Sequence, residues 1–268
     1  MKDLVIVKSA HGGHWLKFAE HIASLSLEKR AIAEKMVESF QMEDRVCRTL
    51  VAQLLSSDLG IDHFFCDGFD SIATGLANKA ALEGVSVLDP FLQKSKAESD
   101  GYEEEFSVLK DYSGLVHDAR LKSGRNILFY ETEPSSFGKS TSRRDKELYP
   151  KVLSQSRSRN LLFMGKKHPL RPFFEKRIPF RVVEVTLNPM VNMYSENKAA
   201  LFEEIIKVSE RGKIEYSLRY NQILPTDPFS TTVRDLTQNV IEEYNNSYVP
   251  PALLSNNPLL GLGLFRLY

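Results

Sequence analysis

No apolar run in this 268-residue chain approaches the roughly 18 to 20 residues that a helix needs to cross a bilayer, so no membrane partner is expected. Cysteine is scarce, with Cys47 and Cys66 alone. No Cys-x-x-Cys spacing offers a structural zinc site. Two reduced, buried thiols are favoured over a disulfide. The opening stretch, Met1 to Ala10, has an acid and a short strand-like run where a signal peptide carries a longer apolar core. Export is therefore not expected, and a cytoplasmic location is. The chain also lacks an internal repeat and a heptad seam, which argues against solenoids and coiled coils, and without a Gly-x-Ser-x-Gly elbow nothing points to a Ser/His/Asp triad.

Net charge is absent too, since 35 basic residues balance 35 acidic ones. The balance is not local. Between Lys139 and Arg181, thirteen Lys and Arg face Asp145, Glu147 and Glu175, a net charge of +10, so the rest of the chain carries −10. Such a segment can concentrate anions if it forms one surface. It is equally compatible with a solvated face, or with pairing to acids elsewhere in the fold.

What is present is an ordinary globular composition, 42% hydrophobic and 26% charged, enough to build a full core. Short apolar runs predict buried strands at 4–7, 61–66, 85–88, 126–131, 161–164 and 181–187. Apolar residues three or four apart predict a helix carrying Trp15, Phe18, Ala19 and Ile22 on one face, and helices over 27–40, 43–56, 71–83, 106–121, 143–153, 197–208 and 231–244. The polar, acidic stretch 93–106 reads as an exposed loop. Strands alternating with helices predict a Rossmann-like α/β fold, a mainly parallel sheet flanked by helices. Residues 1–224 would form this domain. Residues 225–268 would be a C-terminal extension packing on it or on a partner subunit, which would make the chain a homo-oligomer.

In such sheets ligands bind beyond the carboxyl ends of the strands, so the turns there are the places to look. The first strand is followed by His11, Gly12, Gly13 and His14. The glycines permit close backbone approach, and the histidines can bind phosphate or serve as general acid or base. The second strand is followed by Asp67, Gly68, Phe69, Asp70 and Ser71. A glycine between strand and helix brings backbone N–H groups to an anion, and the helix dipole favours negative charge there. The alternative is a plain crossover with Asp70 as N-cap.

Residues 66–88, CDGFDSIATGLANKAALEGVSVL, resemble the Gly-x-x-Asp-x-x-Ala segment of the SLOG group of Rossmann-like proteins. That group includes the DNA-processing protein A family and the "lonely guy" hydrolases. The resemblance implies nucleotide or nucleic-acid phosphates at Gly68, Asp70 and Ser71. The paired glycines of the family are here Gly68 alone, preceded by Asp67.

Two further patterns follow the fourth predicted strand. Gly138, Lys139, Ser140 and Thr141 match the end of a P-loop, where lysine reaches phosphates and a hydroxyl meets magnesium. The first P-loop glycine is replaced by Glu133, which leaves a looser phosphate contact through Lys139, Ser140 and Arg143 of the basic helix. The acids Asp67, Asp70, Glu131 and Glu133 end strands, and a divalent cation such as Mg2+ would sit on Asp67 and Glu133, as in metal-dependent nucleases. Surface acids flanking a loop are the plainer alternative.

Together these features predict a phosphate-ligand-binding enzyme that transfers or hydrolyses a nucleotide or nucleotide-linked substrate. Asp70, Glu131, His11 or His14 would do its acid–base work. Gly12, Gly13, Gly68, Ser71, Lys139, Ser140 and Arg143 would hold phosphate. One alternative is a nucleic-acid-binding protein or nuclease using the 139–181 segment. Another is an assembly protein joined through its C-terminal tail.

Overall fold

A computed structural model of the chain describes residues 2–9, 26–98, 103–132, 141–157, 159–165, 180–189, 205–210, 213–218 and 228–246. Within them the chain runs β1 (Lys2–Ser9), α1 (Leu27–Ser56), β2 (His63–Cys66), α2 (Ser71–Glu83), α3 (Asp89–Glu98) and α4 (Glu103–Ser123). It continues with β3 (Leu128–Tyr130), α5 (Thr141–Gln155), β4 (Arg159–Gly165), β5 (Phe180–Pro189), β6 (Ile205–Glu210), β7 (Lys213–Leu218) and α6 (Pro228–Asn246). The strands form one seven-stranded sheet in the order β3-β2-β4-β1-β5-β7-β6. Every pairing is parallel except that of β6 with β7 at one edge. This is the expected α/β, Rossmann-like architecture. Among the described residues, no helix is long and apolar enough to cross a membrane.

The strands read as continuous apolar runs because both faces are covered, and successive side chains point to opposite faces. Val5 and Val7 of β1, Phe64 and Cys66 of β2, and Phe163 of β4 join one core with residues of α1, α2, α4 and α6. Leu4, Ile6, Phe65, Leu162 and Met164 face the other way, onto Leu148, Tyr149 and Val152 of α5. The crossovers from β1 to β2 and from β2 to β3 pass over the first face. The return from β3 to β4 runs in the opposite direction over the second face. Direction and face reverse together, so all three crossovers share one hand, as chain twist requires.

Several expectations are corrected. Residues 85–88 are not a strand but a 3-10 turn, Val85–Leu88. A four-residue apolar run cannot distinguish the two, and here only Leu88 of the four is buried. Gly84, at φ 102°, turns the chain into it, and the strand that pairs with β2 arrives only at Leu128. The supposed loop 93–106 is largely helical, with α3 extending to Glu98 and α4 starting at Glu103. The acids Glu103, Glu104 and Glu105 favour a helix start, because they oppose the helix dipole there. The two helices expected over 27–56 are one, of 30 residues.

Residues 205–208, expected as the end of a helix, belong to β6, since pairing with β7 overrides a helical spacing. β7 itself was not expected, although Ile214, Tyr216 and Leu218 alternate with Lys213, Glu215 and Ser217. Residues 197–204 and the helix expected to carry Trp15 lie outside the described residues. α6 packs on α1 and β5. Thr237 Oγ1 donates to Gln53 Oε1 at 2.6 Å, and the Tyr244 hydroxyl to Asp3 Oδ2 at 2.5 Å. Most of the C-terminal tail, from 247 onward, lies outside the described residues.

Candidate functional site at the carboxyl edge of the sheet

Parallel register brings the last residues of β1, β2, β3, β4 and β5 to one edge: Ser9, Cys66, Tyr130, Gly165 and Pro189. The chain leaves β2 for the face of α2 and leaves neighbouring β3 for the face of α5. Two adjacent strands whose connections part to opposite faces leave a crevice between their carboxyl ends.

Of the residues read from sequence, Asp67, Gly68, Asp70, Ser71 and Glu131 are described, and all five follow β2 or β3 at this edge. The Asp67 N–H donates to Phe163 O at 3.0 Å, extending the β2–β4 pairing by one bond. Gly68 is exposed at φ 81°, and a Cβ placed there would meet nothing within 4 Å. The turn therefore needs glycine for its backbone angle and leaves open space beside it. Asp70 is the N-cap of α2: its Oδ1 accepts from Ala73 N at 2.8 Å. Ser71 is exposed. Glu131 is half-buried, its Oε1 lies 2.5 Å from Lys151 Nζ, and its carbonyl accepts from Gln155 Nε2 at 3.2 Å. Lys151 of the basic segment is thus spent on an acid of the fold. Arg159 similarly donates to Leu59 O, at 2.5 Å.

Arg143 lies in the first turn of α5, but its side chain is outside the described residues, as are His11, Gly12, Gly13, His14, Glu133, Lys139 and Ser140. Among the described residues, no three of His, Cys, Asp and Glu are placed to hold a metal ion.

The two loops are clasped by a residue that sequence reading missed. Thr132, buried after β3, donates from Oγ1 to Cys66 O, accepts from Phe69 N at 3.2 Å, and donates its N–H to Phe69 O at 2.8 Å. Its only signal was a threonine directly after a strand, which does not single it out.

A second missed group stands on the α1 side. Arg48 of α1 pairs through one Nη with Asp44, and through the other with Asp111 of α4 at 2.5 Å. Its guanidinium lies 5.5 Å from the ring centre of Tyr112. Burial works against its charge, but Asp44 first, then Tyr112 and Asp111, outweigh burial and hold its pKa above the ordinary value. Tyr112 and Cys66 are pushed well upward, chiefly by burial, with Cys66 and Asp44 adding for the tyrosine and Asp67 for the thiol. Cys66 is therefore a protonated thiol at neutral pH and not a thiolate nucleophile. The third missed group is a buried ion pair on the central strands, Lys8 with Glu184.

A shallow groove of about 380 Å³ lies on the opposite edge, lined by Leu82, His117, Arg120, Leu121 and Arg125 among others. Arg120 and Arg125 already donate to carbonyls there, so its cations serve the fold.

The fold is that of an α/β protein of Rossmann-like architecture, with Asp67, Gly68, Asp70, Ser71 and Glu131 at the edge where such sheets take ligands. Compared with known protein families, curated proteins and solved structures, the chain matches none.

Proposed function

We propose that this protein binds a phosphate-bearing small molecule, a nucleotide or nucleotide-linked compound, at the carboxyl edge, and transfers or hydrolyses a group on it. The observation that carries the reading is the parting of the chain after β2 and β3 beside an open, positive-φ Gly68. Backbone N–H groups at the start of α2 and the Ser71 hydroxyl receive phosphate. Lys139 and Arg143 neutralise it, and the Ser140 hydroxyl donates to it. Asp67 would repel a bare phosphate, so Asp67 and Glu133 would hold a divalent cation whose charge offsets that repulsion. Glu131, poised against Lys151, or a histidine of the first turn handles protons.

The test is a thermal-shift panel on the full chain at low and moderate salt. It comprises nucleotides, nucleotide sugars and short DNA and RNA, each with and without Mg2+. A ligand at roughly 100 times its Kd adds about 2.7 kcal/mol and moves the midpoint visibly. A salt-tolerant shift with one mononucleotide class supports the reading. Shifts confined to polynucleotides and lost as salt rises sink it, and favour a nucleic-acid binder whose affinity follows counterion release.

A further inference from the structure

Lys8 and Glu184 sit inside the sheet. Their side chains are each 8% exposed, and Nζ lies 3.1 Å from Oε1. Lys8 stands opposite Met164 of β4 and Thr186 of β5, and Glu184 stands opposite Ile6 of β1 and Lys213 of β7. The Thr186 hydroxyl donates to the same Glu184 oxygen at 3.4 Å. Removing two ions from water is expensive, and apolar residues of similar volume usually hold such a place at least as well. Stability of the sheet therefore does not account for the pair.

Its position does. Lys8 is the penultimate residue of β1, in the middle of the carboxyl edge. One residue on, and on the opposite face of the strand, the Ser9 hydroxyl is buried without a hydrogen-bond partner at the same edge. Idle buried polar groups are rare in folded proteins, and a catalytic role or a bound ion is one of the explanations for them. An ammonium carries three protons, and among the described residues Glu184 takes one of them.

We propose that Lys8 is a ligand-contacting residue. Its ammonium receives an anionic oxygen group, phosphate or carboxylate, of the small molecule bound at the carboxyl edge, and Glu184 is the positioning residue that holds the ammonium there. This rests on the reading that the edge binds a ligand, and it adds the point the ligand must reach. β1 lies two strands from β2, about 10 Å away at normal strand spacing, so a ligand seated at the Gly68 turn must extend by that distance.

The experiment compares the wild-type chain with Lys8→Met/Glu184→Leu, which replaces both ions by apolar groups, using pyrophosphate, malonate and the nucleotides of the panel as probes. The double variant is expected to fold and to bind the effective probe at least about tenfold more weakly, a loss of 1.4 kcal/mol. Pyrophosphate acting alone names a phosphate, and malonate acting alone names a carboxylate. A folded double variant that binds every probe like wild type overturns the inference. If nucleotides still bind it equally, the reading of the edge survives that failure. A wild-type chain shifted by no probe overturns both. Should the double variant not fold, wild-type chain labelled with 13Cε-lysine decides, with Lys8→Arg used for assignment. Pyrophosphate or malonate must move the Lys8 signal, and an unmoved signal overturns the proposal.

Discussion

The two edges of the sheet use charge in different ways. At the amino edge, arginines serve the backbone. Arg125 donates to Leu55 O, Ser57 O and Ile61 O at 2.5, 2.7 and 3.2 Å, closing the end of α1, while Arg159 donates to Leu59 O and Arg120 to Ile127 O. Carbonyls at a helix end need donors, and a guanidinium supplies several in a fixed fork. At the carboxyl edge, charges face other charges: Lys8 meets Glu184, Arg48 meets Asp44 and Asp111, and Lys151 meets Glu131. There Ser9 Oγ has no partner and Gly68 faces open space. The amino edge has its own exception. His63 Nδ1–H donates to Asp62 Oδ1 at 2.8 Å and the ring stacks on Tyr130 at 4.2 Å, but its buried Nε2 has no partner. The comparison teaches that cationic side chains close the backbone at one edge and pair with carboxylates at the other, where ligands of parallel sheets bind.

The largest way to sharpen this contrast is to break the central pair. Lys8→Met alone leaves Glu184 buried without its partner and is expected to cost about 3–5 kcal/mol in urea denaturation. Adding Glu184→Leu should recover most of that loss. At the other edge, Arg125→Ala strips three carbonyls of a charged donor and should cost about 3 kcal/mol, with no apolar second substitution able to restore it. If both edges recovered equally well, the contrast between them would fail.

Thr132→Val keeps the shape of the clasp but removes both bonds of its hydroxyl, leaving Phe69 N–H only its 3.3 Å bond to Cys66 O, an expected loss of about 1–3 kcal/mol. Hydrogen exchange at Phe69 should rise with it. Asp70→Ala removes the cap of α2 at about 1 kcal/mol, and Asp70→Asn should retain nearly all of the cap. If Asp70→Asn keeps stability yet loses activity on a nucleotide identified in the panel, Asp70 does acid–base work beyond capping.

The smallest effect concerns pH. Cys66 and Tyr112 have pKa values raised above their ordinary 9.0 and 10.0 by burial. A raised folded pKa contributes stability that is complete below the unfolded value and lost as pH rises through the folded one. The denaturation midpoint should therefore fall as pH rises above about 9, and Cys66→Ala should make that fall shallower. An unchanged slope in Cys66→Ala would assign the alkaline loss to other groups.

Much of this was legible in the residues. The runs around Val5, Phe64, Leu161 and Val183 announced buried parallel strands, because a strand covered on both faces is apolar throughout. Asp67, Gly68, Ser71 and Glu131 could be placed at one edge for the same reason, since each follows such a run. Asp70 was legible both as a cap and as a candidate base, and its geometry here is that of a cap. The alternation in Lys213–Leu218 is a strand signal that is short and interrupted by charge, and Val85–Leu88 is too short to decide between strand and turn.

The partners were not legible. Lys8 and Glu184 sit within apolar strands, and nothing local to either names the other. Arg48 and Asp111 lie 63 residues apart on separate helices. Thr132 meets Cys66 and Phe69 only because β3 settles beside β2. The sequence by itself determined where chains of apolar residues must be buried and where turns must expose glycines and acids, because hydrophobic period and backbone angle are local properties. Only the tertiary structure decided which charge faces which, and which hydroxyl is left without a partner, because strand order and crossover direction bring together residues that share no local signal.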